Sequence, residues 1–432
     1  MSHGRLEPLP RAIWPPDPSP YQMPSRRAVL AGLGGAAALY GATNAIRLGG
    51  LHAEAIPPDT WPLARHDHHN SARIDVTIPR SPSSDWAAGP VGSDFPDGLI
   101  VGPDRVYAGG EHLLAIDRSD GTVDWQREGA SGTLARADDR LYVAPSPFGS
   151  EKPRTLRVLD GSGEMQWQIE QPHADTILPT REAIFVSAHD SIRSLAPNGH
   201  IRFETGVPGA GHVYLMLYAN RLYAGGPMGV SRYRRRTVYD AFDDLAPGSS
   251  WTGGKIGFAG PPALVNGRIL VGYDDAGPDG SVRALDPTDG STLWSALPNP
   301  AENGVDRQSA TTPVVVNGTA FTAVDRWLDT GRAHELVGLD VGTGAIRWRQ
   351  SLSSWTGTIV ATSGSILVGT IRDEDTDPPD GASSAPPGSV WAIEPDGTER
   401  WRVEFDVGVG ELAPVDGTIF TLLEDGRVVA LR

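Results

Sequence analysis

Short stretches of alternating apolar and polar residues, separated by turn-forming residues, run along most of this chain. Typical stretches lie at 140–144 (Arg-Leu-Tyr-Val-Ala) and 268–272 (Arg-Ile-Leu-Val-Gly). A period of two is typical of half-buried β-strands. The Asp-Gly and Thr-Gly pairs between such stretches provide the positive φ that a tight hairpin needs. The pattern therefore predicts an all-β fold built of antiparallel hairpins.

One short phrase recurs through these stretches. It consists of a Leu or Ile, an Asp or Glu, a turn ending in Gly, and a Trp four residues after that Gly. The phrase ends at Trp125, Trp167, Trp294, Trp348 and Trp401, and two degenerate copies end at Phe203 and Trp251. These positions are 36 to 54 residues apart. A period in this range, combined with strand signals, is typical of a β-propeller.

The tryptophans have a structural interpretation in such a fold. A four-stranded sheet cannot bury both of its faces alone, so the blades of a propeller stack and a large indole fills the space between neighbours. We interpret Trp125, Trp167, Trp251, Trp294, Trp348 and Trp401 as blade-docking residues. A role in stacking on a ligand is the alternative.

Seven internal repeats and one composite repeat predict eight blades, and seven is the alternative because residues 206–256 are irregular. The last residues, 426–432, match the middle of a repeat but lack its turn and its Trp strand. We expect residues 72–79 to supply that strand. Pairing of the N-terminal and C-terminal strands would then close the ring and remove its exposed edges.

The N-terminal residues 1–55 resemble an export segment. Arg26 and Arg27 precede a weakly apolar, Gly- and Ala-rich run from 28 to 46, as in a twin-arginine signal. A small-x-small site at 53–55 (Ala-Glu-Ala) is where we expect cleavage. An uncleaved membrane anchor is the alternative, because a run of about 18 apolar residues approaches spanning length. The domain from 56 to 432 would then work outside the cytoplasm.

Composition narrows the classes of function. The chain has 432 residues, a formal net charge of -16 and no cysteine. The absence of cysteine excludes disulfides, thiolate catalysis and Cys-ligated metals. The negative charge repels nucleic acid and anionic membranes, so neither is expected as a partner. Any contact with a membrane would be made by the N-terminal signal.

Two clusters contain residues that can ligate metals. His66, His68 and His69 could bind zinc or nickel, but adjacent residues rarely converge on one ion, so we favour a structural or solvent-exposed role. In the acidic loop 373–381, the alternate residues Asp373, Asp375 and Asp377 are candidate Ca²⁺ ligands. Two prolines and a missing distal Glu break the EF-hand pattern, and a solvated acidic loop is the alternative.

Two further segments carry weaker signals. The aspartates of residues 274–280 form a second, poorer candidate for Ca²⁺. The basic run 232–236 (Arg-Tyr-Arg-Arg-Arg) could contact an anionic partner or glycan, although the aspartates that follow it favour local ion pairing. The chain contains no nucleophile elbow, Walker loop, zincin motif or Rossmann fingerprint.

The repeat phrase resembles that of the pyrroloquinoline-quinone-like (PQQ-like) repeat propellers, Ala-x-Asp-x-x-Thr-Gly-x-x-x-Trp, over residues 61 to 432. That family includes BamB-like envelope assembly proteins and quinoprotein dehydrogenases. The resemblance implies the fold, in which the phrase docks neighbouring blades. It does not imply a chemical activity.

Two functions follow as hypotheses. The first is an exported, non-catalytic, monomeric propeller that binds a partner protein or an envelope polymer and needs no cofactor. The alternative is an oxidoreductase that uses PQQ and Ca²⁺ to oxidise an alcohol or a sugar. Many such enzymes that the repeat resembles have a disulfide of adjacent cysteines above the quinone, which this chain lacks. None of its residues could be matched to the calcium ligands or catalytic Asp of that family.

Overall fold

The structure, a computed structural model, describes residues of one compact unit, 50–432. The described residues are 52–92, 98–128, 132–145, 154–171, 173–189, 191–207, 209, 211–233, 249–253, 258–274, 280–298, 305–328, 331–352, 354–371 and 388–432. They form 34 strands and no helix, so the predicted all-β class is confirmed.

Antiparallel four-stranded runs, which we call blades, follow one another along the chain, each ordered as in the sequence. Blade 1 contains β2 (Leu99–Val101), β3 (Arg105–Ala108), β4 (His112–Asp117) and β5 (Val123–Glu128). Blade 2 contains β6 (Leu134–Ala137), β7 (Arg140–Val143), β8 (Thr155–Asp160) and β9 (Met165–Glu170). Blade 3 contains β10 (Thr176–Pro179), β11 (Ile184–Ala188), β12 (Ser191–Leu195) and β13 (Ile201–Gly206). Blade 4 contains β14 (Tyr214–Tyr218), β15 (Arg221–Gly226), β16 (Gly229–Tyr233) and β17 (Ser249–Gly253).

The later blades follow the same plan with one elaboration. Blade 5 contains β19 (Ala263–Val265), β20 (Arg268–Asp274), β21 (Val282–Leu285) and β22 (Thr292–Ala296). Blade 6 contains β24 (Val314–Val316), β25 (Thr319–Leu328), β26 (Gly331–Asp340) and β27 (Ile346–Leu352). Two extra strands, β18 (Phe258–Ala259) and β23 (Val305–Ala310), join blades 5 and 6 into one ten-stranded sheet. Blade 7 contains β28 (Trp355–Ala361), β29 (Ile366–Ile371), β30 (Ser389–Ile393) and β31 (Glu399–Glu404).

The last blade is built from both ends of the described chain. Blade 8 contains β32 (Val409–Val415), β33 (Thr418–Leu423), β34 (Val428–Leu431) and, as its outermost strand, β1 (Ser84–Ala88). Strand β1 pairs antiparallel with β34, and Trp86 lies opposite Ala430. This is the register of Trp125 opposite Ala115 in blade 1. The predicted pairing of the N-terminal and C-terminal strands is therefore confirmed.

The prediction that residues 72–79 form this closing strand is wrong. Ala72 and Ile74 instead exchange backbone hydrogen bonds with Ala361 at the end of β28. The closing strand has to supply the aromatic residue that packs on the next blade, and residues 72–79 contain no Trp. Trp86 meets this requirement, because its indole packs on the turn of blade 1 at Gly121.

Contact between neighbouring blades follows one pattern at four of the junctions. The indole N–H of a Trp at the end of one blade donates to a carbonyl in the last turn of the next blade. The pairs are Trp125 with Gly161 (3.3 Å), Trp167 with Pro197 (3.2 Å), Trp294 with Val341 (3.1 Å) and Trp348 with Pro395 (3.0 Å). Because the last turn of blade 8 is interrupted by the chain ends, Trp401 donates to the carbonyl of Pro79 instead (2.9 Å).

The turn glycines make this packing possible. A Cβ placed on Gly121, Gly163, Gly199, Gly344 or Gly397 would lie 2.6 to 2.9 Å from an atom of the facing indole. These glycines also have φ between +74° and +92°, which residues with a side chain rarely adopt. Glycine is therefore required at this position for two reasons: the positive φ of the backbone and the close contact with the indole.

Residues 61–78, which we call the plug segment, cross one end of the inner strands. Trp61 pairs with Val101 of blade 1, and the carbonyl of Pro62 accepts a hydrogen bond from the backbone of Arg136 in β6 of blade 2. The carbonyls of His68 and His69 accept from Leu217 of blade 4 and Leu264 of blade 5. This end of the blades, which also carries the Trp-docking turns, is called the turn face below. The opposite end is called the loop face.

We expect Trp86→Ala to lower the free energy of unfolding by about 3–5 kcal/mol, because it leaves a large cavity where the ring closes. Trp86 is 8% exposed and its ring lies 5.8 Å from that of Phe420. Chemical denaturation followed by circular dichroism measures the change. Trp355→Ala is the matched control, because Trp355 is 41% exposed and its loss should cost no more than about 0.5 kcal/mol. Equal losses in the two variants would contradict the assigned role of Trp86.

Candidate functional site

The histidines of the plug segment do not converge on one point. The ring of His66 packs on Trp61, with centroids 4.8 Å apart, and burial lowers the pKa of His66. His68 is buried, and its Nε2 donates to the carbonyl of Pro179 (2.6 Å). His69 is exposed. These three side chains therefore take structural or solvent-exposed positions rather than forming a metal site.

Asn70 shows why the plug segment carries so many polar residues. Its side-chain amide donates to the carbonyls of Leu215 (2.8 Å) and Pro262 (3.1 Å), which belong to the inner parts of blade 4 and blade 5. Asp67 accepts hydrogen bonds from the backbone of His69 and Ser71. The segment thus satisfies inner-strand carbonyls and its own turn, and it closes the turn face.

Several predicted candidates lie outside the described residues. These are Arg26, Arg27, Asp275, Asp279, Asp373, Asp375, Asp377, residues 234–236 and the side chain of Trp251. Two described members of these clusters have partners in the fold. Asp274 forms an ion pair with Arg307, and Arg232 donates to the carbonyl of Pro287 (3.1 Å).

A histidine cluster that the sequence analysis did not single out lies on the loop face of blades 3 and 4. His173 precedes β10, His189 lies between β11 and β12, and His212 precedes β14. The centroids of their rings are 5.6 Å apart for His173 and His189, and 6.0 Å apart for His189 and His212. Tyr214 stacks on His212 at 6.3 Å.

Asp175 organises this cluster. Its carboxylate is fully buried and lies 2.7 Å from Nδ1 of His212. The other oxygen accepts the backbone N–H groups of His189 and Val213, both at 2.9 Å. The hydrogen bond to Asp175 raises the pKa of His212, whereas burial lowers the pKa of His173. Neighbouring imidazoles thus differ in basicity because one of them has a carboxylate partner.

Tryptophan and arginine side chains cluster on the loop face of blade 6. The guanidinium groups of Arg307 and Arg332 lie 4.9 and 5.7 Å from the ring centroid of Trp327. On the neighbouring blade 7, Trp355 is the first residue of the innermost strand and is 41% exposed. We use the name aromatic patch for Trp327, Arg332 and Trp355, which lie on the loop face of two neighbouring blades.

The hairpin that carries part of this patch is held by buried polar pairs. Nδ1 of His334 lies 2.7 Å from Asp325, and both side chains are less than a tenth exposed. Glu335 pairs with Arg326 (2.9 Å) and with Arg349 of the next strand (2.6 Å). Because strands β25 and β26 pair over ten residues, the hairpin holds Trp327 in a defined position on the loop face.

Ca²⁺ takes six to eight oxygen ligands, but no three His, Asp or Glu side chains in the described part of the chain are placed around one point. Carboxylates on the loop face serve the backbone instead. Glu411 accepts the N–H groups of Gly98 (3.1 Å) and Leu99 (2.8 Å), which ties blade 8 to blade 1.

A cleft of about 480 Å³ lies between the outer parts of blades 1 and 2. It is lined by Arg127, Arg157 and Met165 among others, and Met165 is 49% exposed. Both arginines bond to backbone carbonyls, Arg127 to Gly163 and Arg157 to Glu128. The cleft is therefore a gap between docked blades lined by structural side chains.

Comparisons with known proteins agree with this geometry. Residues 278–432 match the family model described as outer membrane protein assembly factor BamB. No curated protein matches the chain. BamB from Moraxella catarrhalis is 14% identical, with a TM-score of 0.57 over 82% of this chain and 100% of that one.

Two further solved structures share the fold. Quinohemoprotein alcohol dehydrogenase from Comamonas testosteroni is 11% identical, with a TM-score of 0.59 over 86% of this chain and 80% of that one. The computationally designed protein Ika8 is 13% identical, with a TM-score of 0.57 over 78% of this chain and 96% of that one. At these identities the likeness concerns the fold.

Together, the stacked antiparallel blades and the pairing of the chain ends define a β-propeller. The family match of residues 278–432 and the shared fold confirm the resemblance to PQQ-like repeat propellers that the repeat phrase indicated. In the described residues, no helix is long and apolar enough to cross a bilayer.

The sequence analysis missed the loop-face histidines because they are far apart in the chain and share no motif. Aligning the internal repeats with one another gives a signal that could have placed these histidines on one face. His173, His189 and His212 each lie in a connection that the alternation of strands assigns to one end of the blades. Aligning the connections as well as the strands would have brought them together.

We expect His212→Gln to destabilise the protein more at pH 6 than at pH 9. Because the folded-state pKa of His212 is raised, its pairing with Asp175 stabilises fully below the unfolded value of about 6.5. This contribution is lost as the pH rises through the folded-state pKa. Thermal unfolding at both pH values measures the difference, with the exposed His200→Gln as control. A deficit that does not shrink at high pH would contradict the assignment.

Proposed function

We propose that this protein is an exported, non-catalytic binding scaffold that holds a partner protein on its loop face. The observation that carries the proposal is the aromatic patch, with Trp355 41% exposed at the start of an inner strand. Trp and Arg are the residues most enriched among binding hot spots. A rigid ring that displays such residues on its connections is suited to recognition.

The choice of face rests on the plug segment. On the turn face, the segment contacts inner strands of blades 1, 2, 3, 4, 5 and 7, and docking turns are occupied by indoles. The described connections of the loop face carry the exposed His189 and Trp355. A partner would therefore meet specific side chains on the loop face.

The proposal includes no quinone. Two described loop-face carboxylates have partners within the fold, since Glu411 accepts backbone N–H groups of blade 1 and Asp175 pairs with His212. The family model that matches residues 278–432 is described as an assembly factor, which agrees with a binding role. An envelope polymer is the second class of partner that this surface could hold.

A photo-crosslinking amino acid at position 355 tests the choice of face, and the same group at Thr398, on the turn face of blade 7, is the matched control. In whole cells, we expect one protein to be crosslinked from position 355 and not from position 398. The purified partner should then bind Trp355→Ala at least about 10-fold more weakly than the wild type, as for a hot spot. Equal crosslinking from both positions, or unchanged affinity, would refute the proposal. A protease-resistant crosslinked product would replace the protein partner with a polymer.

We also propose export by the twin-arginine route, based on Arg26 and Arg27. Replacing both by Lys conserves the charge but removes the pair, so we expect the protein to remain in the cytoplasm. Cell fractionation and immunoblotting measure the distribution. Replacing Arg47, beyond the apolar run, by Lys is the control and should leave export unchanged. Export of the double variant at the wild-type level would exclude this route.

A further inference from the structure

We propose that the folded ring protects the small-x-small site at 53–55 from signal peptidase, so that the exported chain keeps its N-terminal segment as a membrane tether. The inference rests on the proposed export and goes beyond it, because it concerns what happens to the segment after export. It starts from the position of the site. Residues 53–55 lie within the compact unit 50–432, which also contains the blades.

The site is docked on blade 3 through its backbone. Ala53 forms an antiparallel bridge with Thr180, in the turn between β10 and β11 on the turn face. The carbonyl of His52 accepts a hydrogen bond from the backbone N–H of Arg181 in the same turn (3.1 Å). A peptidase has to bind the small residues of such a site in its own cleft. The backbone of Ala53 cannot pair with Thr180 and enter that cleft at the same time.

Side chains on both sides of Ala53 strengthen the docking. Glu182 binds His52 through both carboxylate oxygens, one accepting from the backbone N–H (2.9 Å) and the other lying 2.6 Å from Nδ1 of the ring. Burial acts to raise the pKa of Glu182, but the hydrogen bonds from His52 lower it overall. The side chain of Glu54, the middle residue of the site, is only 19% exposed and lies 3.8 Å from the guanidinium of Arg181. Cleavage therefore requires that both His52 and Glu54 separate from the turn of blade 3.

The order of events determines the effect of this docking. Because the twin-arginine route exports folded proteins, blade 3 is already formed when the site meets the peptidase. Cleavage of a folded protein follows the fraction of molecules in which the segment has opened. The retained apolar run at 28–46, which approaches spanning length, then tethers the chain. Since His52 lies on the turn face, the tether starts at the opposite end of the blades from the aromatic patch.

Limited proteolysis of the purified full chain with a Glu-specific protease tests the docking without any export step. The bond after Glu54 is the probe, and mass spectrometry of the peptide that ends at Glu54 measures its cleavage. Glu182→Ala removes both hydrogen bonds to His52, so we expect cleavage at least about 10-fold faster than in the wild type. Asp104→Ala is the matched control, because Asp104 is an exposed carboxylate in the corresponding turn of blade 1. It should leave the rate unchanged.

His52→Ala provides a second variant, which acts from the other side of the same contact. It removes the ring that binds Glu182 from a position outside the blades, so folding of the ring does not depend on it. We expect faster cleavage after Glu54 in this variant as well. Circular dichroism verifies that each variant is folded. Equal cleavage rates in the wild type and in both variants would overturn the docking.

The intact mass of the protein from whole cells tests the tether. We expect the wild type to be full length, membrane-bound and accessible to external protease, and Glu182→Ala to be cut after Ala55. An exported wild-type chain that begins at Ile56, or an exported Glu182→Ala chain that stays uncut, would overturn the proposal. A chain that remains in the cytoplasm would refute the export route and with it the tether, whereas proteolysis of the purified chain decides the docking separately.

Discussion

The contact of an indole with a glycine turn of the next blade is the interaction on which the rest of this structure depends. Each four-stranded sheet has two apolar faces, and stacking on its neighbours buries both. The Trp supplies the area, its N–H selects one carbonyl, and a glycine with positive φ lets the ring approach. Because the same contact recurs from blade to blade, the blades must follow one another in register. The ring can close only if the chain ends complete the series.

The completion at the chain ends shows how far the sequence determines the fold. The repeat phrase, with its Trp and its Gly, was sufficient to predict the propeller and the pairing of the two termini. It was not sufficient to identify the closing strand, since β-rich character occurs both at 72–79 and at 84–88. The decisive requirement was an indole that faces Ala430 and packs on Gly121, and only Trp86 meets it. Pro79 then replaces the carbonyl that the interrupted turn lacks.

The candidate sites were less predictable for a physical reason. A blade-docking residue is specified locally, by its distance along the chain from a turn. The cluster around Asp175 is specified by the stacking of blade 3 on blade 4, which brings three connections to one place. Local density of His and Asp pointed instead to His66, His68 and His69, which lie in a series of turns and have different surroundings: His66 packs on Trp61, His68 bonds to Pro179 and His69 is exposed. In a repeat protein, chemistry that spans blades is therefore visible only after the repeats are stacked.

The two faces of the ring consequently have different roles: contacts that stabilise the ring lie on the turn face, and candidate binding residues lie on the loop face. On the turn face, the docking indoles and the plug segment form hydrogen bonds with backbone groups of the blades. His68 and Asn70 have a structural role there, because they donate to carbonyls of inner strands. The aromatic patch and the histidine cluster lie on the loop face, at the opposite end of the blades from the plug segment. Glu411 and Asp175 fix the backbone on which those side chains stand. A propeller that seals one face with its own chain can vary the other without weakening the ring, and recognition is expected to evolve on that face.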